Sequence, residues 1–70
     1  LAIYPSGEAL FVIHTPAGEA NRVAVALDRL AWLEFVGTIA GDDTIFGAVR
    51  DGRAQREFIR RLERPAAPAS

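Results

Sequence analysis

Residues Gly37–Arg50 read GTIAGDDTIFGAVR: an apolar segment, then Gly41-Asp42-Asp43-Thr44, then a second apolar segment. Two adjacent carboxylates between hydrophobic stretches can form a turn, hold a metal, perform acid–base chemistry or receive a cation. The flanking residues are largely β-branched or aromatic, so FVGTIAG and TIFGAVR predict two strands that meet at the aspartates. Consecutive residues of a regular strand point to opposite faces, whereas in a tight turn after Gly41 both carboxylates reach the same side. Held close, they repel, and one takes up a proton unless a cation neutralises the pair. Such a pair suits a metal ion or an organic cation such as a guanidinium, which accepts bidentate carboxylate pairing.

Working outward, LAIYPS is a short strand-like piece ended by Pro5, Ser6 and Gly7, and ALFVIHT, after that turn, completes a hairpin. Pro16, Ala17 and Gly18 interrupt the chain. From Glu19 to about Leu33 the period changes: Ala20, Val23, Ala24, Leu27, Leu30 and Ala31 recur at the spacing of one buried helical stripe. Asp51 is placed to cap a last helix whose apolar stripe is Ala54, Phe58 and Leu62. The order β-β-α-β-β-α predicts a two-layer α+β domain over residues 1–63, with a four-stranded antiparallel or mixed sheet and both helices on one face. RPAAPAS, residues 64–70, is expected to be a flexible tail.

The strands are apolar on both faces. Leu10 and Val12 oppose Phe11 and Ile13, and Phe46 and Ala48 oppose Ile45 and Val49. Two helices cover one face, so the other needs a different cover. A 70-residue chain buries only about 60% of the surface its unfolded form exposes, and such small domains rely on disulfides, metals or association. With no cysteine and a single histidine, His14, the first two routes are closed to thiolate or imidazole chemistry, which leaves association with other chains. The net charge of −1 supplies no general attraction to nucleic acid or to an anionic membrane. No apolar run approaches a membrane span, and no signal peptide is visible. The chain opens with Leu1 straight into a β-like pattern, which points to an excised domain whose N-terminal companion carries another activity.

Asn21 and Asp28 lie seven residues apart, nearly two helical turns, and share a face offset from the buried stripe. An amide and a carboxylate can therefore border the sheet near the Asp pair, a set suited to a zwitterion with an extra positive charge. A metal is less favoured, because the hydrophobic surroundings offer few further oxygen ligands. Structural alternatives stand beside each reading. The aspartates can be turn formers only, Asn21 and Asp28 solvated helix residues, His14 a strand residue at an interface, and Trp32 a core or interface anchor. Arg53, Arg56, Arg60, Arg61 and Arg64 interleave with Glu57 and Glu63, the pattern of a solvated, salt-bridged helix surface. No serine–histidine pair at recognisable spacing, phosphate loop or dinucleotide fingerprint is present.

VGTIAGDDTIF, with ALDRL upstream and HTPAGEAN before it, resembles the C-terminal domain of bacterial arginine repressors, from about Ala2 to Leu62. The resemblance implies a cytoplasmic regulator rather than an enzyme: a two-layer α/β module that forms trimers and then hexamers of two stacked trimers. It implies L-arginine, bound at the contact between trimers, as corepressor, with no other cofactor, no metal and no membrane partner. Operator DNA would be bound by a separate N-terminal winged-helix domain, which nothing in this chain matches. Carried over residue by residue, Asp42 and Asp43 match the family's aspartate pair, and Asp28 matches the helical aspartate of the pocket. Asn21 stands where the family has Gln or Asn, and Thr38 and Ala40 match positions that contact ligand through backbone or a short side chain. TPAGEAN departs from the family's usual Pro-Gly step. Two rival functions remain: a ligand-independent oligomerisation module, whose assembly would ignore arginine, and a small enzyme or metal protein, which would respond to divalent ions.

Overall fold

The computed structural model describes residues 1–63; the expected tail and Arg64 lie outside the described residues. Four strands, β1 (Ala2–Ser6), β2 (Leu10–His14), β3 (Phe35–Ala40) and β4 (Thr44–Val49), and two helices, α1 (Ala20–Asp28) and α2 (Gly52–Glu63), follow in the order β1-β2-α1-β3-β4-α2. The strands form one sheet in the order β1-β2-β4-β3, and every neighbouring pair is antiparallel, which resolves the antiparallel-or-mixed alternative.

Strand alternation fixes the two faces. Phe11, Ile13, Ile45 and Val49 are buried on the helix side, where Ala20, Ala24 and Leu27 of α1 and Ala54 and Phe58 of α2 close the core. The Phe11 ring packs 4.5 Å from Phe58, and Phe35 and Trp32 extend the aromatic cluster to 5.4 Å and 6.0 Å from the same residue. Gly47, opposite Phe11 in the β2–β4 register, leaves the space that the ring occupies. On the other face Tyr4 pairs with Val12, Val12 with Phe46 and Phe46 with Ile39. Nothing among the described residues covers that face: Tyr4, Phe46 and Ile39 are all exposed, Ile39 by 75%.

The first helix is shorter than its apolar pattern predicts. It ends at Asp28 rather than near Leu33, with the Arg29 amide donating to the Val25 carbonyl and the Leu30 amide to the Leu27 carbonyl, both at 3.1 Å. Ala31 then takes φ +54°, the left-handed region, which turns the chain back towards β3. Leu30 and Ala31 thus leave the stripe, and Leu30 is 62% exposed. The periodicity runs on for one more turn than the helix, because a left-handed residue that is not glycine carries no local sequence signal.

Asp51 caps α2 as expected, its Oδ1 accepting the Ala54 amide at 2.9 Å. Gln55 is the one buried polar side chain among the described residues. Its Nε2 donates to the carbonyls of Leu10 (2.7 Å) and Gly7 (3.1 Å), tying α2 to the β1–β2 turn.

Candidate functional site

The site grows from the β3–β4 hairpin. The Gly41 amide donates to the Thr44 carbonyl at 2.8 Å, which leaves Asp42 and Asp43 as the two connecting residues, both exposed. Their backbone carbonyls face the β2–α1 loop and hold it. Thr15 donates its amide to the Asp43 carbonyl at 2.8 Å, and Gly18 and Ala20 donate theirs to the Asp42 carbonyl at 3.1 and 3.2 Å. Glu19, at the N-cap of α1, makes no side-chain cap, so the Asp42 carbonyl satisfies an orphan amide of the helix start. Gly18 sits at φ +79°, a conformation glycine adopts without the strain a side chain would bring. The departure from a Pro-Gly step therefore still delivers a glycine where the loop bends onto Asp42. The positive end of the α1 dipole faces the hairpin and offsets part of the repulsion between the two carboxylates.

The other end of the site lies where α1 meets β3. Thr38 donates its hydroxyl to Asp28 Oδ1 at 3.4 Å, so helix and strand are linked through two of the expected residues. Asn21 follows Ala20 directly, at the end of α1 pinned to Asp42, and its side chain is exposed. Seven residues of helix separate it from Asp28, a rise of about 10 Å. Ala40, half-buried and paired with Ile45, turns its side chain to the core and can offer a ligand only backbone. The expected residues accordingly form a strip: the Asp pair and Asn21 at one end, Asp28 and Thr38 at the other, with open surface between.

Two residues missed by sequence reasoning meet the hairpin from the uncovered face of the sheet, opposite the helices. Thr44 donates its hydroxyl to Asp43 Oδ1 at 3.0 Å, and His14 Nδ1 lies 3.4 Å from the same hydroxyl. Only the His14–Thr44 register could have revealed this, because thirty positions separate the residues in sequence. Among the described residues no three His, Cys, Asp or Glu side chains converge as a metal site would require.

A cleft of about 380 Å³ opens elsewhere, between Trp32, Glu34 and α2. Both of the carboxylates it draws from the start and middle of α2 are already engaged: Asp51 caps the helix, and Glu57 pairs with Arg60 and, at 2.9 Å, with Arg61. Hydrogen bonds from Arg60 and Arg61 hold the Glu57 carboxyl below its ordinary value of 4.5. Arg61 also lies 5.2 Å from the Trp32 ring centroid as a cation–π partner. The strip, whose carboxylates face solvent and have no arginine partner among the described residues, is the better receptor for a cation.

The family described as "Arginine repressor, C-terminal domain" matches residues 5–64. The chain belongs to this arginine repressor C-terminal family. Among proteins named arginine repressor, that of Caldicellulosiruptor bescii is 43% identical over 60 residues, 86% of this chain and 40% of that protein. The repressor of Thermotoga petrophila is 49% identical over 53 residues, 76% of this chain and 35% of its own length. That of Desulforudis audaxviator is 50% identical over 48 residues, covering 69% and 32%. The arginine repressor domain described here thus spans at most about two-fifths of these relatives. No helix among the described residues is long and apolar enough to cross a membrane.

Proposed function

We propose that this domain senses L-arginine and drives hexamer formation in an arginine-dependent transcriptional regulator of arginine biosynthesis or catabolism genes. The observation that carries the reading is the strip itself: an exposed Asp pair locked to the start of α1, with Asp28 and Thr38 about 10 Å away along the helix. Those are opposite ends of a receptor for a molecule with a guanidinium at one end and an α-amino acid group at the other. The guanidinium pairs with Asp42 supplied by an opposing trimer, while Asp43, Asp28 and Asn21 shape the pocket and fix the α-amino end. Thr38 adds its hydroxyl and Ala40 its backbone.

The uncovered sheet face supplies the assembly. Covering Tyr4, Phe46 and Ile39 at roughly 25 cal/mol per Å² contributes several kcal/mol per protomer, enough to favour trimers without ligand. Carboxylates presented by each trimer oppose stacking until arginine bridges them. Ligand that binds the hexamer and not the separate trimers stabilises it by mass action, and the coupling is reciprocal, so stacking raises arginine affinity in turn. Operator DNA is engaged by a winged-helix domain N-terminal to this one, with arginine as corepressor.

Calorimetric titration with L-arginine, L-lysine and citrulline tests the reading. Arginine binds, and the two controls bind far more weakly. Asp42→Asn removes one partner of the ion pair, costs about 2–5 kcal/mol of affinity and leaves the trimer intact. Unchanged arginine affinity in that variant would refute the assignment. The open apolar face also favours a second reading, an oligomerisation module without ligand, for which the same titration is silent.

A further inference from the structure

The hairpin carboxylates are connected to an imidazole. His14 ends β2 and Thr44 begins β4; the two are register partners on the uncovered face of the sheet. Thr44 has one hydroxyl proton, and it is directed to Asp43 Oδ1 at 3.0 Å. With that proton committed, His14 Nδ1, 3.4 Å from the hydroxyl oxygen, can only be the donor. The chain His14 Nδ1–H, Thr44 Oγ1–H, Asp43 Oδ1 runs in one direction. It fixes the rotor of Asp43, whose backbone carbonyl is already fixed by the Thr15 amide. On the β1 side the Tyr4 ring meets His14 edge-on at 5.7 Å between centroids.

We propose that His14 is a positioning residue for the hairpin site, holding Asp43 through Thr44. This rests on the reading of the strip as an arginine receptor. Without a donor at position 14 the Thr44 hydroxyl loses its upstream partner, and the relay that orients the Asp43 carboxylate is left open at one end.

The test is calorimetric titration of the 70-residue chain with L-arginine at about pH 7.5, beside thermal unfolding of each variant. His14→Phe has no donor and is expected to bind several-fold more weakly. His14→Gln can still donate to Thr44 and recovers part of that loss, and His14→Asn is measured alongside as a second polar replacement. Thr44→Val breaks the relay in the middle, so His14→Phe costs no further affinity in that background, a coupling that a double-mutant cycle reads. A His14→Phe variant that binds arginine as tightly as the wild type, or a His14→Phe loss undiminished in the Thr44→Val background, would overturn the His14 proposal and leave the arginine site standing. A folded wild-type chain that binds no arginine overturns both.

Discussion

Gly47→Ala is expected to destabilise the domain, against the rule that alanine suits a strand better than glycine. Intrinsically the change should help by up to about 1 kcal/mol, because glycine loses more backbone entropy on folding. At this position a methyl group has nowhere to go. Gly47 lies mid-strand in β4, with Phe11 of β2 opposite on one side and Thr38 of β3 on the other. A Cβ built on it overlaps the Phe11 ring. That ring is fully buried and braced by Phe58 at 4.5 Å and Phe35 at 6.0 Å, so it cannot swing aside without disturbing the aromatic cluster. Overpacking a core of this kind costs about 1–3 kcal/mol, and the upper part of that range applies because both neighbouring strands hold β4 in place. Set against the entropic gain, a net loss of about 1–2 kcal/mol remains, roughly 4–8 °C of melting temperature per kcal/mol in a domain this small. Urea unfolding at one fixed protein concentration reads it, since association makes stability concentration-dependent. Phe11→Leu in the Gly47→Ala background opens the space and should recover part of the loss, a coupling that a double-mutant cycle measures. A Gly47→Ala variant as stable as the wild type, or losses that simply add in the double variant, would refute the packing argument.

Gln55→Ala strips the carbonyls of Gly7 and Leu10 of their shared donor and should cost about 2–3 kcal/mol in the same assay. Gln55→Glu, of the same shape but with an oxygen facing those carbonyls at pH 7, should lose at least as much. Phe46→Glu and Ile39→Glu, partners on the uncovered face, should shift sedimentation to lighter species with circular dichroism unchanged; an unaltered mass would remove that face from assembly. Glu57→Gln tests the α2 ion pairs by pH. The folded-state pKa of Glu57 is lowered, so its contribution is present above 4.5 and is lost as the pH falls through the lower folded value. The wild type should therefore melt slightly above the variant at pH 7, with the gap closing in acid; a gap that widens there contradicts the assigned pairing.

The architecture was legible because strand and helix periods alternate cleanly along the chain, and because Pro5, Gly7, Pro16 and Gly18 punctuate it. The end of α1 was not, since Leu30 and Ala31 continue the apolar period while Ala31 adopts a left-handed conformation, after which Trp32 and Phe35 pack against the core. Gln55 lies at the edge of the arc defined by Ala54, Phe58 and Leu62; a polar residue bordering an apolar stripe is the signal of a buried hydrogen-bonding role. At the site, the side chains of Asp42, Asp43, Asp28, Asn21 and Thr38 were nameable from the sequence. The carbonyl of Asp42 as an anchor for α1, and the contact of His14 with Thr44, depend on strand register and loop closure, which no local pattern encodes.

The central claim is that arginine brings the assembly together through the hairpin aspartates. Sedimentation equilibrium of the wild-type domain at low protein concentration, with and without L-arginine and with L-lysine and citrulline as controls, addresses it most directly. The account predicts a shift from trimer towards hexamer with arginine alone, absent in Asp42→Asn. A mass that ignores arginine, in a chain not already hexameric without it, would contradict the account and leave Gly41-Asp42-Asp43 as a turn in an oligomerisation module.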